Sequence, residues 1–289
     1  MTSSPFITII TPTYNAIQAI EKCIVSVQLQ TFLNYEHLIV DGMSTDGTIE
    51  LIKEIQKKTS NIRLITEKDK GVFDAMNKGI QLAQSDWLYF LGADDFLFDN
   101  KVLEDSVAYI VKENTQIIYG DVYFENQKKN YDGSFDIEKI LKNNICHQSI
   151  FYRQSVFKII GLFNIHYPLV ADYAFNLQCW LSGKITHEYF PRTIAYYADG
   201  GISSVNQDFN FSKDYPLIIT NAILTGNKNK DEKINDLSIA YRKIIQRYSF
   251  ARFVREVFKK DFFLIRFLSV VWMFLSLPFH AFKVIAKKR

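Results

Sequence analysis

Four short stretches carry the side chains able to do chemistry: Thr11-Pro12-Thr13-Tyr14-Asn15, the segment from Asp41 to Thr48, Gly92-Ala93-Asp94-Asp95 and Ala171-Asp172-Tyr173. Three of them place carboxylates or turn residues directly after an apolar run that reads as a buried strand. Loops at the carboxyl ends of strands are where open α/β sheets bind ligands. Asp94 and Asp95 close a strand of large apolar residues, where paired acids are costly without a cation or a water-filled cleft. Hard oxygen ligands of this kind suit Mg²⁺ or Mn²⁺, with one or two carboxylates completed by phosphate oxygens. Such a metal would bridge a diphosphate and stabilise it as a leaving group. Read alone, Asp94, Asp95 or Asp99 could also start the helix that runs through Leu103.

The first stretch is a strand-to-helix turn with a proline that cannot extend a sheet. Its backbone and hydroxyls could face a nucleoside, with the Tyr14 ring offered to a base. Asp41, at the next strand end, could accept a hydrogen bond from a base imide N–H. Gly42, Ser44, Thr45, Asp46 and Gly47 then make a tight polar loop, which alone is only a turn with a helix cap. In the run from Glu67 to Gly79, Gly71 opens a helix whose amides could approach phosphate, and Lys70 adds a positive charge. Asp74 and Asn77 are three apart and share a helix face. A capped surface helix would read the same way.

Strands and helices must hold these loops. Residues 6–10, 37–40, 62–65 and 87–91 read as buried strands, and helical patterns follow from about Ala16, from Asp46 or Thr48, and from Gly71. This alternation predicts an α/β fold with a mainly parallel sheet flanked by helices. Right-handed crossovers then bring the strand-end loops to one edge. After Gly120 the rhythm changes. Residues 116–124 and 128–135 look like strands around a polar turn, 136–144 a short helix, 149–152 a strand, 171–182 a helix and 185–197 an extended segment. With 48% apolar and 15% aromatic residues the chain can bury a substantial core, which argues against disorder.

The end of the chain differs in kind. Residues 241–289 hold 12 Lys+Arg and 2 Asp+Glu, a balance of +10 against −7 for residues 1–240. The apolar run 262–282 is interrupted by Arg266, Pro278 and His280 and flanked by basic residues. A membrane span needs about 20 predominantly apolar residues. The expectation is an amphipathic helical extension lying on an anionic membrane surface; a core or dimerisation helix and a true span are the alternatives. Cys23, Cys146 and Cys179 form no metal spacing and no even disulfide set, so they are expected as buried free thiols in a reducing compartment. No basic segment followed by an apolar run opens the sequence, which favours the cytoplasmic side.

The ordered set TPTYNA, DGMSTDGT, DKGVFDAMNKG and GADD resembles the family-2 glycosyltransferases of GT-A (Rossmann-like) fold, over about residues 5–205. The nearest likeness is to bacterial transferases of exopolysaccharide, capsule, colanic-acid and O-antigen assembly. The resemblance implies an inverting transfer of a sugar from a nucleotide-diphosphate donor. It implies that Pro12, Thr13 and Tyr14 form the nucleoside loop, that Asp41 reads the base, and that Asp94 and Asp95 form the metal motif, with Asp95 the direct ligand of Mn²⁺ or Mg²⁺. It also implies a catalytic base at Asp172, where Ala171 replaces the acid of the usual Glu-Asp pair. An inverting transfer needs one carboxylate to take the proton of the attacking acceptor hydroxyl. By position alone Asp172 could instead cap the helix from Tyr173. His147-Gln148 resembles a stretch lining the cleft, and residues 200–204 resemble a loop that closes over the donor diphosphate.

These readings imply a GT-A domain over residues 1–210, with a nucleotide-binding half at about 1–120 and an acceptor half at about 121–210. A helical C-terminal region, 211–289, would bear the membrane-associating tail. The expected partners are a nucleotide-diphosphate sugar (UDP favoured, GDP and dTDP open), a saccharide or lipid-linked saccharide acceptor and an anionic membrane surface. Nucleic acid is not expected, because the tail's aromatic and aliphatic density favours lipid. One alternative is a non-catalytic scaffold of a membrane polysaccharide-assembly complex, against which the intact Asp41, Asp95 and Asp172 argue. Another is a nucleotidyltransferase, which would carry a Gly-rich basic phosphate loop; residues 11–19 contain neither Gly nor Lys/Arg.

Overall fold

The computed structural model describes residues 4–124, 127–131, 133–197 and 207–247. The expected membrane tail and the loop at 200–204 lie outside these residues. Nine strands form one sheet: β1 (Ile7–Thr13), β2 (Tyr35–Asp41), β3 (Ile62–Thr66), β4 (Trp87–Phe90), β5 (Phe96–Leu97), β6 (Ile117–Phe124), β7 (Lys129–Tyr131), β8 (Ile150–Arg153) and β9 (His187–Tyr197). Their order is β3-β2-β1-β4-β8-β6-β9-β5, with β7 on the far part of β6. The helices are α1 (Ile20–Gln28), α2 (Thr48–Gln56), α3 (Val72–Leu82), α4 (Val102–Lys112), α5 (Ile137–Ile140), α6 (Gln154–Ile160), α7 (Ala171–Leu181), α8 (Phe209–Leu224) and α9 (Lys230–Arg247).

Successive strand residues point to opposite faces, and here both faces are covered. Ile10, Leu38, Val40, Leu88 and Phe90 pack with α3 and with α5 through α9. Ile9, Ile39, Trp87 and Tyr89 pack with α1, α2 and α4. That double coverage is why the first strands read as unbroken apolar runs. Helix α3 lies close on β1: a Cβ at Gly79 would stand 2.4 Å from Ile10 Cγ2. The apolar sides of α8 and α9 join the same core as α7, through Phe211, Tyr215, Ile219, Leu237 and Ile244. Among the described residues no helix is long and apolar enough to cross a membrane.

The sheet is mixed rather than mainly parallel. β1 pairs parallel with β2 and β4, β2 with β3, and β6 with β9. β4–β8, β6–β8, β5–β9 and β6–β7 are antiparallel. Parallel neighbours need long crossovers; helices α1 to α3 supply them in the first part of the chain, and the segment bearing α5 to α7 supplies the one between β6 and β9. The reversal at β8 has a consequence for the site. Because β8 runs against β4, its first residues lie at the edge where β4 ends, so the segment entering β8 meets the Gly92–Asp95 turn.

Candidate active site

Two loops at the ends of β1 and β2 are zipped together. Asn15, in the left-handed region (φ 48°), donates its N–H to Ser44 Oγ at 2.7 Å and accepts at Oδ1 from Thr45 N. Ala16 N donates to Thr48 Oγ1 and Ile17 N to Asp46 Oδ2. These bonds hold residues 15–19 out of the helix, so α1 starts at Ile20 rather than near Ala16. Pro12 and Thr13 are the last residues of β1, in register with Val40 and Asp41.

Asp41 is fully buried, and its two oxygens accept from Ser44 N at 2.9 Å and Ser44 Oγ at 2.5 Å. Its carboxylate therefore builds the loop and exposes no surface. Tyr14 is 65% exposed, and its Cδ2 lies 3.3 Å from where a Gly42 Cβ would stand. Asp69 Oδ2 lies at 2.4 Å from the same point, while Asp69 Oδ1 accepts from Gly71 N. Tyr14 and Asp69 thus meet over Gly42, the residue next to the buried Asp41. The sequence had shown Asp69 only as part of a motif; its place opposite Tyr14 depends on the β3–α3 turn. Lys70 is exposed, its N–H donating to Asp74 Oδ2, and Gly71 (φ 119°) has open space on its side-chain face. Asp74 and Asn77 have separate tasks: Asn77 is buried and exchanges two hydrogen bonds with the Phe163 backbone.

Asp94 and Asp95 are not helix caps. Helix α4 begins only at Val102, and it is Asp99 whose Oδ1 accepts from Lys101 N before it. Both acids instead fold back over Gly92. A Cβ there would stand 2.5 Å from Asp95 Oδ2 and 3.0 Å from Asp94 Oδ1. Asp94 is exposed and Asp95 buried. Beneath them, burial first and then the charges of Asp95 and Asp94 push the Cys23 thiol up, against a hydrogen bond from Thr11. Cys23 and Cys179 are buried, whereas Cys146 is half-buried.

Asp172 sits in the first turn of α7, whose N-cap is Val170. Its Oδ1 accepts from Tyr173 N at 2.8 Å. Its Oδ2 accepts from Asn144 Nδ2 at 2.9 Å and lies 3.3 Å from His147 Nδ1. Asn144 is held in turn by Asn176, whose Nδ2 donates to Asn144 Oδ1 and whose Oδ1 accepts from the buried Tyr152 hydroxyl. A carboxylate has about four lone-pair sites, so room remains for one further donor.

The 3-10 turn His147–Ser149 connects the two groups of acids. His147 faces Asp172 and the next residue, Gln148, donates from Nε2 to Asp95 Oδ2 at 2.7 Å. Among the described residues, the main groups singled out from sequence therefore lie along one sheet edge: the Tyr14–Asp41 loops, the α3 entry with Lys70 and Gly71, the Asp94–Asp95 turn, and Asp172. Asn144 and Asn176 went unnoticed because nothing local in the sequence marks them. Among the described residues no trio of His, Cys, Asp or Glu is grouped closely enough to hold a metal ion unaided. The convergence of two carboxylate oxygens over Gly92 fits a hard divalent cation that takes its other ligands from phosphate and water.

The sequence pattern of the family described as glycosyl transferase family 2 matches residues 8–163. A PGL/p-HBAD biosynthesis glycosyltransferase of Mycobacterium bovis is 38% identical over 220 residues, covering 74% of this chain and 86% of the relative. An uncharacterized glycosyltransferase of Haemophilus influenzae is 29% identical over 71% of this chain and 84% of its own. Among solved structures, S. aureus TarS 1-349 in complex with UDP-GlcNAc superposes with a TM-score of 0.67 at 17% identity, over 94% of this chain and 82% of that one. The mannosyltransferase PcManGT from Pyrobaculum calidifontis, in complex with GDP-Man and Mn²⁺, gives a TM-score of 0.58 at 13% identity, over 100% and 89%.

Proposed function

The chain belongs to glycosyl transferase family 2, and from that premise we propose an inverting transfer of a sugar from a uridine diphosphate donor to a lipid-linked saccharide, in cell-surface polysaccharide assembly. The observation that carries this reading is the pairing of Asp94 and Asp95 with Asp172 across the single turn His147–Ser149.

The base lies against Tyr14, with Asp41 and Asp69 as the acids at its edge. Asp41 keeps unused lone pairs but is fully buried, so it accepts from a base N–H only if the loop over it moves; the half-buried Asp69 needs no such change. The diphosphate passes over the α3 entry, where Lys70 and the open Gly71 face it. Asp94 and Asp95 would hold Mn²⁺ or Mg²⁺, which would supply positive charge to the leaving diphosphate. On the far side Asp172 takes the proton of the acceptor hydroxyl as its oxygen bonds to the anomeric carbon. The bond from that carbon to the diphosphate breaks, and the configuration inverts. Asn144 and Tyr173 N fix the carboxylate so that it meets the hydroxyl already oriented.

The lipid-linked acceptor, the membrane surface and a place on the cytoplasmic face are supported by the basic, aromatic sequence of the tail, +10 over residues 241–289.

A panel of UDP, GDP and dTDP, each with and without Mn²⁺, tests the donor by thermal shift, since a ligand of the native state raises the melting temperature. A metal-dependent rise with UDP alone supports the reading; a rise with GDP alone moves it to a guanosine donor. Deleting residues 250–289 is expected to release the protein from sedimenting membranes, and unchanged sedimentation would remove the membrane claim.

A further inference from the structure

We propose that Gln148 is the positioning residue for Asp95, fixing where its carboxylate stands for the divalent cation. This rests on the reading of Asp94 and Asp95 as the acids that hold that cation.

Asp95 is 3% exposed and Gln148 is 4% exposed. A buried carboxylate is costly unless a donor meets it. The amide meets it at 2.7 Å from Nε2 to Oδ2. Because a carboxylate only accepts, that nitrogen assignment follows from the partner. The donor is neutral. An Arg or Lys in its place would satisfy the acid equally well, but its charge would compete with a cation for the same oxygens. A glutamine orients the acid and leaves its charge for the metal.

The backbone that carries the amide is itself held. Ser149 N and Ser149 Oγ both donate to Cys146 O at 2.9 Å, closing the turn. The Tyr89 hydroxyl donates to Gln148 O at 2.7 Å. Tyr89 is fully buried on β4 and stacked on Phe151 of β8 with ring centroids 4.5 Å apart. Asp95 closes the turn after that same strand. A hydrogen-bonded ring thus runs from β4 through Tyr89 and Gln148 to Asp95 and back. It holds Asp95 Oδ2 over Gly92, beside Asp94 Oδ1. The same turn directs His147 at Asp172, so the metal acid and the proton acceptor share one rigid support.

The test is Gln148→Met in the full chain, which keeps the length of the side chain and removes the donor. Mn²⁺ affinity is measured in the presence of UDP by electron paramagnetic resonance of free Mn²⁺, without turnover. Loss of a group that orients a metal ligand typically weakens metal binding about 10–100-fold, and a fall of at least tenfold is expected, with metal-free UDP binding unchanged and a cooperative melt retained. Tyr89→Phe, which frees the Gln148 carbonyl, is expected to weaken Mn²⁺ binding by a smaller factor. It carries the test if Gln148→Met does not fold. A folded Gln148→Met, or failing that a folded Tyr89→Phe, with Mn²⁺ affinity within twofold of wild type overturns the inference and leaves the metal reading standing. A wild-type protein that binds no Mn²⁺ with UDP, GDP or dTDP overturns both.

Discussion

Replacing Asp172 by Asn keeps the side chain's size and removes the proton acceptor. Its effect divides into two parts. A positioned general base contributes about 10²–10⁴ in rate, which is about 2.7–5.4 kcal/mol of barrier at about 1.36 kcal/mol per decade. The second part is stability. In the variant one oxygen can still accept from Tyr173 N, but an amide nitrogen then faces Asn144 Nδ2. Asn144 cannot simply turn over, because its Oδ1 is held by Asn176 Nδ2. Two donors facing each other in a buried site leave a hydrogen bond unmade, at about 1–3 kcal/mol, which is a melting point lower by a few degrees in a chain of this size. The expected result is a turnover number down by at least about a hundredfold, measured as acceptor-dependent release of UDP at saturating donor. Mn²⁺–UDP affinity should be unchanged, because the Asp95 side is untouched. A folded Asp172→Asn protein turning over within tenfold of wild type would refute the base assignment.

At the base slot, Asp69→Asn is expected to weaken UDP binding with little change in melting, whereas Asp41→Asn chiefly destabilises the protein, since Ser44 already takes both oxygens; calorimetric titration with UDP beside a melting curve separates the two. Gly92→Ala inserts a methyl against Asp95 Oδ2 and Asp94 Oδ1 and should lower Mn²⁺ affinity by about tenfold or more, read by the same free-Mn²⁺ measurement; an unchanged affinity would contradict the convergence of the two acids. Burial holds the His37 pKa at about 3, and burial followed by Lys228 holds His187 at about 4, both below the ordinary histidine value of 6.5. Both are neutral when folded, so their contribution is complete above pH 6.5 and is lost as the pH falls towards 4, each raising the unfolding constant by about tenfold per pH unit. Urea midpoints between pH 7 and 5 should therefore fall, and His187→Asn should flatten the slope; midpoints independent of pH would contradict the burial argument.

The first half of the fold was legible because β1, β2 and β4 are buried on both faces, while β3, at the sheet's end, is half-buried yet still mostly apolar. Residues 6–10, 37–40, 62–65 and 87–91 are dense in Ile, Leu, Val and aromatics, and the intervening helices show one apolar side each. Boundaries slipped where side chains from a distant loop took backbone groups, as Ser44 and Thr48 do at Asn15 and Ala16. Short elements without a period of their own were not visible: β5 is two residues long and is defined only by its pairing with β9. In the site, acids at strand ends announce themselves, because a carboxylate after an apolar run needs a reason. Neutral partners do not. Asn144 and Asn176 look like ordinary polar residues until the fold sets them between Asp172 and Tyr152.

Gln148 shows how one strand direction decides what a motif can mean. In a mainly parallel sheet, residues that precede a strand lie at the edge away from the ligand-binding loops. Cys146-His147-Gln148-Ser149 precedes β8, so a parallel reading removes it from the chemistry. The register Trp87↔Arg153, Leu88↔Tyr152, Tyr89↔Phe151 reverses that placement. The start of β8 then stands beside the end of β4, and Gln148 reaches Asp95 while His147 reaches Asp172. The same reversal lets Tyr89 stack on Phe151 and bond the Gln148 carbonyl across the strand pair. The antiparallel pair thus joins two halves of the site that come from distant parts of the chain. A change that loosens the β4–β8 pairing should therefore reach Asp95 and Asp172 together, so on the proposed reading metal binding and proton transfer would both depend on one strand contact.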